Sequence, residues 1–365
     1  ALLGDDALVS SNTLTNFGKT GILGSTARNL VITGNVITGL GPAADASNGI
    51  EIELGSGGII SDNIITDCSG LLGDPLGSAA VLISTDAADP FHPGYDPDVT
   101  LTSNTIFANM NGIAVGVGGA YTETSLVRAH FNSIVGNAAY GILVRQASAA
   151  QVDAVENWWG TISWAGYRGL PGVRDAISGD VACIPWSNED FTIQYTIPLS
   201  TVADDDNTTR TEGDTGVNGG LFGWDEFDSV HDAAKNVIPG GTAMIMNGLY
   251  TESVVIGNSV IVTGESETGV VLQAQALAPV NGINSVTVNL AAGSSVTLEQ
   301  MTIRNGDYGI HATGGQLSVE WCTFFHNGYD GTEYTSPTTQ VNAAADYAAY
   351  ATGGAAIHME NVSNT

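Results

Sequence analysis

Basic residues are scarce in this chain. Its 365 residues include 9 Lys and Arg against 38 Asp and Glu, a formal net charge of −29. Nucleic acid and anionic membrane surfaces are bound by basic side chains that displace counterions, so so acidic a surface excludes both partners. Cysteine is nearly absent: Cys68, Cys183 and Cys322 are an odd number, widely spaced, matching neither a metal motif nor a disulfide framework. They are expected as buried single thiols. No apolar run reaches the roughly 18–20 residues of a membrane-spanning helix, and no helical 3.6-residue periodicity runs through the chain.

What the chain does have is glycine, 47 residues of it, and a recurring phrase. The phrase reads SSNTLT (10–15), TGNVIT (33–38), SDNIIT (61–66), TSNTIF (102–107), HFNSIV (130–135) and VENWWG (155–160). It places Asn at 12, 35, 63, 104, 132 and 157. A second phrase alternates with it, in TGILGS (20–25), NGIEIE (48–53), AAVLIS (79–84), NGIAVG (111–116) and YGILVR (140–145). Both return after residue 290, in VTLEQMTIRN, LSVEWCTFFHN, YGIHAT and AAIHME, with Met301 and Cys322 standing where the earlier coils have Asn. Short strands of period two, punctuated by Gly and Asn turns at repeat steps of 23 residues or more, define an all-β solenoid. Unequal steps mean that extra residues loop out at corners, as in TDAADPFHPGYDPD (85–98). The recurrent Asn suits a corner, where it tolerates left-handed backbone angles, and stacked coils would align the Asn side chains in a ladder.

These phrases resemble the coils of a right-handed parallel β-helix, and the chain is similar to secreted and surface proteins of the pectate-lyase-like superfamily. FDSVHDAAKNVIPGGTAMIMNGLYTESVVIGNSVIVTGES (227–266) resembles the opening of such domains, with one short capping helix near 226–238 that gathers Phe227, Val230, Ala234 and Val237 on one face. ENWWGT (156–161) and AISGDVACIPW (176–186) resemble a closing stretch. The closing signature precedes the opening one. The expected organisation is therefore the C-terminal part of a β-helix at 1–196, an acidic Gly/Thr-rich linker at 197–220, and the N-terminal part of a further β-helix at 221–365. Joined end to start, the chain reads as one period of a tandem array; truncated neighbours and stacked subunits are the alternatives.

Many members of that superfamily cleave or modify polysaccharides, so the resemblance raises an enzymatic reading. Lyase chemistry needs a base and cations beside a uronate, and the few basic residues are scattered, Arg128 and Arg145 being the pair nearest a common groove. Glu51 and Glu53 alternate with Ile50, Ile52 and Leu54 and point outward from one strand, as a solvent face does. His311 and His358 hold the same place in their phrases. No catalytic set stands out. Asp204, Asp205, Asp206, Asn207, Glu212 and Asp214 concentrate hard oxygen ligands suited to Ca²⁺ or simply form a solvated tether; Asp89, Asp96 and Asp98 are a second such group. Trp158, Trp159, Trp164 and Tyr167 suit either stacking on a sugar or burial in a cap. NTT (207–209) and NVS (361–363) mark Asn207 and Asn361 as glycosylation triplets. The functional expectation is a non-catalytic structural or adhesive repeat of an extracellular or cell-surface array, joined end to end to its own copies and stiffened by Ca²⁺. The rival is a polysaccharide-processing enzyme or a glycan-binding module.

Overall fold

The computed structural model describes residues 4–42, 47–70, 78–84, 97–116, 125–145, 151–163, 176–273, 286–289, 295–306, 309–325, 327 and 357–360. It divides into two units, residues 1–196 and 197–365.

Unit 1 is built of coils that each contribute a strand to three parallel sheets. The first sheet runs through Leu8–Ser10, Leu30–Thr33, Gly57–Ser61, Asp98–Thr102, Leu126–His130, Val152–Asp153 and Val181–Ala182. The second stacks Thr13–Phe17, Val36–Gly39, Ile64–Thr66, Thr105–Phe107 and Ser133–Val135. The third stacks Thr20–Ser25, Asn48–Glu53, Ala79–Ser84, Asn111–Val115, Tyr140–Val144 and Ala176–Ser178. Because strand side chains alternate, one residue in two faces inward, and register puts like upon like. Ile22, Ile50, Val81, Ile113, Ile142 and Ile177 form one inward column, and Leu14, Ile37, Ile65, Ile106 and Ile134 another. These branched side chains pack the interior, where Ile37, Ile50, Ile65 and Ile106 are fully buried.

The corner between the first and second sheets is where each repeated Asn sits, and the division of labour differs from the expected one. The left-handed residue is the one before the Asn: Ser11, Gly34, Asp62, Ser103, Phe131 and Glu156 all have φ between 55° and 65°. Asn itself points inward, and Asn35, Asn63, Asn132 and Asn157 are fully buried. At Gly58 the first sheet comes so close that an added Cβ would lie 2.0 Å from the Leu30 carbonyl oxygen, so only glycine fits. The last coil is followed by an antiparallel pair, Trp186–Ser187 with Gln194–Tyr195, in which the two rings meet at 6.0 Å between centroids.

Unit 2 repeats the three-sheet plan. Its largest sheet is ordered Glu226–Phe227, Ser200–Ala203, Gly241–Ile245, Val260–Gly264, Ser295–Glu299 and Gln316–Glu320. The expected linker at 197–220 is thus not a tether. Ser200–Ala203 is a strand paired on both sides, Thr201 and Ala203 are fully buried, and the Thr201 hydroxyl donates to the Ala233 carbonyl at 2.8 Å. Composition resembled a linker because the strand is only four residues long and is followed by the polar run from Asp204 to Asp214. Helix α1 spans Val230–Asn236, shorter than expected because Glu226–Phe227 is already a strand. Its Ser229 cap accepts from the Asp232 N–H at 3.1 Å, and Pro239 with two glycines ends it. Val230, Ala233, Ala234, Val237 and Phe227 are buried against the opening strands, closing that end of the apolar core.

Candidate functional site

The side chains brought together most extensively are the six corner asparagines of unit 1. Oδ1 of Asn35 accepts from both the main-chain N–H and the Nδ2 of Asn12, each at 3.0 Å. The same double acceptance repeats from Asn35 to Asn63, Asn63 to Asn104, Asn104 to Asn132, and Asn132 to Asn157, within 2.8–3.1 Å. Each Nδ2 also donates to the carbonyl two residues before it, for example Asn104 to Thr102. A buried amide without partners costs about 1–3 kcal/mol, and here the Oδ1 and Nδ2 of every asparagine from Asn35 to Asn157 are engaged. A second, shorter ladder runs at the next corner, where Cys68 N–H donates to Asn109 Oδ1 and Asn109 donates to Asn137 Oδ1. Its presence was not read from the sequence, although the Asn in FAN and VGN, each two residues beyond a second-sheet strand, carries the signal. In unit 2 Asn327 takes that role, accepting from the Gly306 N–H and donating to Ile303. Cys322 stands at the first-ladder position without an amide, its Sγ 3.4 Å from the Glu320 carbonyl.

The acidic stretch of unit 2 is a folded corner. Asp204, Asp205 and Asp206 have carboxylate oxygens within 4.8 Å of one another. Asp204 accepts from the Asp206 N–H at 3.0 Å and from Asn218 Nδ2 at 2.8 Å, while Asp205 accepts from the Leu249 N–H at 2.9 Å. The remaining expected ligands do not converge on them. Asn207 is fully buried, with Nδ2 donating to Glu226 at 2.9 Å and Oδ1 accepting from the Val217 N–H at 3.1 Å. Asp214 is exposed and closes its own turn on the Thr211 N–H and hydroxyl, hydrogen bonds that hold its carboxyl below the usual range. Glu212 is exposed. Of the six residues expected to hold Ca²⁺, the fold gathers Asp204, Asp205 and Asp206, while Asn207, Glu212 and Asp214 are turned to other places. The burial of Asn207 also closes its amide to a glycan in the folded protein.

Glu226, which the sequence did not single out, is the centre of this corner. Fully buried, it accepts from Asn207 Nδ2, the Asn218 and Gly220 N–H groups and Asn218 Nδ2, at 2.8–3.2 Å. Burial by itself pushes the carboxyl up, and these four donors more than offset it, leaving it lowered. Gly216 has no room for a side chain beside it, because an added Cβ would lie 2.2 Å from the Glu226 carboxyl carbon.

The two adjacent tryptophans divide. Ser133 and Trp158 are partners in a parallel bridge, so Trp158 continues the outward row of the second sheet and is partly exposed. Trp159 faces the other way, 3 % exposed, and presents no ring face to a sugar. Trp164, Tyr167, Asp89, Asp96 and Asn361 lie outside the described residues. Asp98 is held by Arg128 at 2.6 Å, an exposed ion pair. His311 and His358 are register partners on neighbouring strands, as their phrases implied. Glu51 and Glu53 lie on the outward side of the third sheet, where Glu51 accepts from the Thr20 hydroxyl at 2.6 Å.

Residues 2–158 match the family model described as the right handed beta helix region. With the stacked parallel sheets of both units, this defines the class: an all-β, right-handed parallel β-helix. No curated protein and no solved structure matches the chain. No helix among the described residues is long and apolar enough to cross a membrane.

Proposed function

We propose that this chain is a structural and adhesive β-helical repeat of a secreted or cell-surface assembly, working by stiffness and surface rather than by turnover. The observation that carries the reading is the unbroken asparagine ladder. It ties six successive coils through buried side-chain hydrogen bonds, in addition to the parallel main-chain pairing, so the corner of the solenoid is a continuous hydrogen-bonded spine. The order of the units supports an array: the coils of unit 1 are followed by the Trp186–Tyr195 pair, and unit 2 then begins with the Ser200–Ala203 strand, against which α1 packs. In this reading unit 1 closes one β-helix and unit 2 opens another, the order an array of such segments would have.

The rival reading, a polysaccharide-processing enzyme, makes a different demand. Incubation with a panel of acidic and neutral polysaccharides, assayed for reducing ends and unsaturated uronates, is expected to show no product above the blank. Product formation that one Arg or carboxylate substitution abolishes would overturn the structural reading.

A further inference from the structure

The outward face of the second sheet in unit 1 is a narrow strip with two rows of side chains. One row runs through Val36, Ile64, Thr105 and Ser133 to Trp158, in direct register. The other runs through Thr38, Thr66, Phe107 and Val135, of which Thr66 is almost covered. Val36, Ile64 and Phe107 are 41 %, 43 % and 43 % exposed, well above the scattered contact of a buried face. No residue of either row is charged, although the whole chain has 38 acidic residues and a net charge of −29. Successive rungs are about 4.8 Å apart and the two rows about 6.7 Å apart, so the strip from Val36 to Trp158 is about 19 Å long and narrow.

Those dimensions choose among occupants. The strip presents on the order of 250 Å², against about 800 Å² per partner in a standard protein interface, so it is too small to hold a second copy of the chain. Its shape is that of a single extended polymer strand. The hydroxyls of Thr38, Thr105 and Ser133 match sugar hydroxyls, and the rings of Phe107 and Trp158 offer apolar faces to sugar C–H groups. With no cation in the strip and a negative field around it, an acidic glycan is repelled and a neutral one is not. We propose that this face docks one strand of an uncharged polysaccharide, with Trp158 and Phe107 as its stacking contacts and the Thr and Ser hydroxyls as its polar ones. The inference rests on the adhesive part of the function proposed above.

Affinity electrophoresis and pull-down of the full chain test it, with soluble xylan and mannan and insoluble cellulose and chitin as neutral probes and polygalacturonate as the acidic one. Retention by at least one neutral probe and none by polygalacturonate is expected. Ile64→Asp, which sets a charge on an exposed position in the middle of the strip, is expected to weaken that retention at least tenfold with the thermal transition unchanged. Trp158→Ala should weaken it too; if that variant fails to fold, Ile64→Asp still decides. Retention unaffected by Ile64→Asp, retention by polygalacturonate alone, or no retention by any neutral probe overturns the docking strip while leaving the structural reading in place. A concentration-dependent dimer that Ile64→Asp abolishes would assign the strip to a second copy and overturn the proposal as well. Released sugar ends, by contrast, would strike at the structural reading itself.

Discussion

Asn132 hands two hydrogen bonds to one atom of Asn157: its main-chain N–H and its Nδ2 both donate to Asn157 Oδ1, at 2.9 and 3.0 Å. The contact spans one full coil, and five such contacts in sequence make the spine of unit 1. Each interior asparagine is acceptor for the coil before it and donor to the coil after it, so removing one side chain leaves the main-chain N–H of the preceding asparagine without its acceptor.

Asn104→Ala is therefore expected to destabilise unit 1 by about 2–3 kcal/mol, since it takes the acceptor from the buried Asn63 N–H and removes the Asn104 side-chain bonds to Asn63 Nδ2 and Asn132 Oδ1. Asn12→Ala removes an exposed terminal rung and is expected to cost less than about 1 kcal/mol. Urea unfolding of the two variants, with unit 2 followed as a separate transition, checks the contrast. Equal losses would mean that the ladder is not cooperative.

The ladder was legible because its signal is local and repeated: Asn followed two residues later by Ile or Leu five times and by Trp159 the sixth, at coil-length steps. The assignment of the left-handed angle to Asn failed because the polypeptide turns one residue earlier, at Ser11, Asp62 or Phe131, where even a phenylalanine is held at φ 56° by the ladder behind it. The corner at 204–226 was illegible for a different reason. Its organising contact, Asn207 to Glu226, joins residues 19 apart and depends on Gly216 leaving space for a carboxylate, and neither fact shows in composition. Five of the expected site residues looked like ligands by type, yet in the fold Asn207 faces inward and Asp214 turns back on Thr211.

Glu226 makes unit 2 sensitive to acid. Its carboxyl is held below its usual value of 4.5, so the unfolded chain binds the proton more readily than the folded one. The stability it contributes is present above about pH 4.5 and is lost as pH falls through the folded value. Glu226→Gln is expected to lower stability at neutral pH by about 2 kcal/mol, because an amide nitrogen replaces one of the two acceptors. Denaturation of unit 2 measured between about pH 7 and pH 3 should then show a flatter acid limb in the variant.

Glu252 has the opposite sign. Burial raises its carboxyl to about 6, against the lowering effect of the Val230 and His231 N–H groups at the start of α1, which donate at 2.7 and 3.1 Å. The folded state holds the proton more tightly, so its contribution is full below pH 4.5 and declines as pH rises through about 6. The difference in stability between wild type and Glu252→Gln, followed by urea unfolding, is expected to shift in the variant's favour over that same rise. A shift in wild type's favour would contradict the assignment.

Cys68 and Cys322 are buried thiols whose burial pushes their pKa up to about 12 and about 11. The thiolate is the reactive form, so both are expected to resist iodoacetamide at pH 8 in the folded protein and to be labelled within minutes in denaturant. Mass spectrometry of the alkylated peptides reads this directly. Rapid labelling of native Cys68 would mean that the second ladder opens at its first rung.

The proposal that these coils are building elements of an extended assembly is tested by electron microscopy of the protein isolated intact from its native source. Long thin rods are expected, with the coil spacing of about 4.8 Å repeating along their axis, in successive β-helical segments. Isolated particles the size of one chain, with no axial continuation, would contradict it.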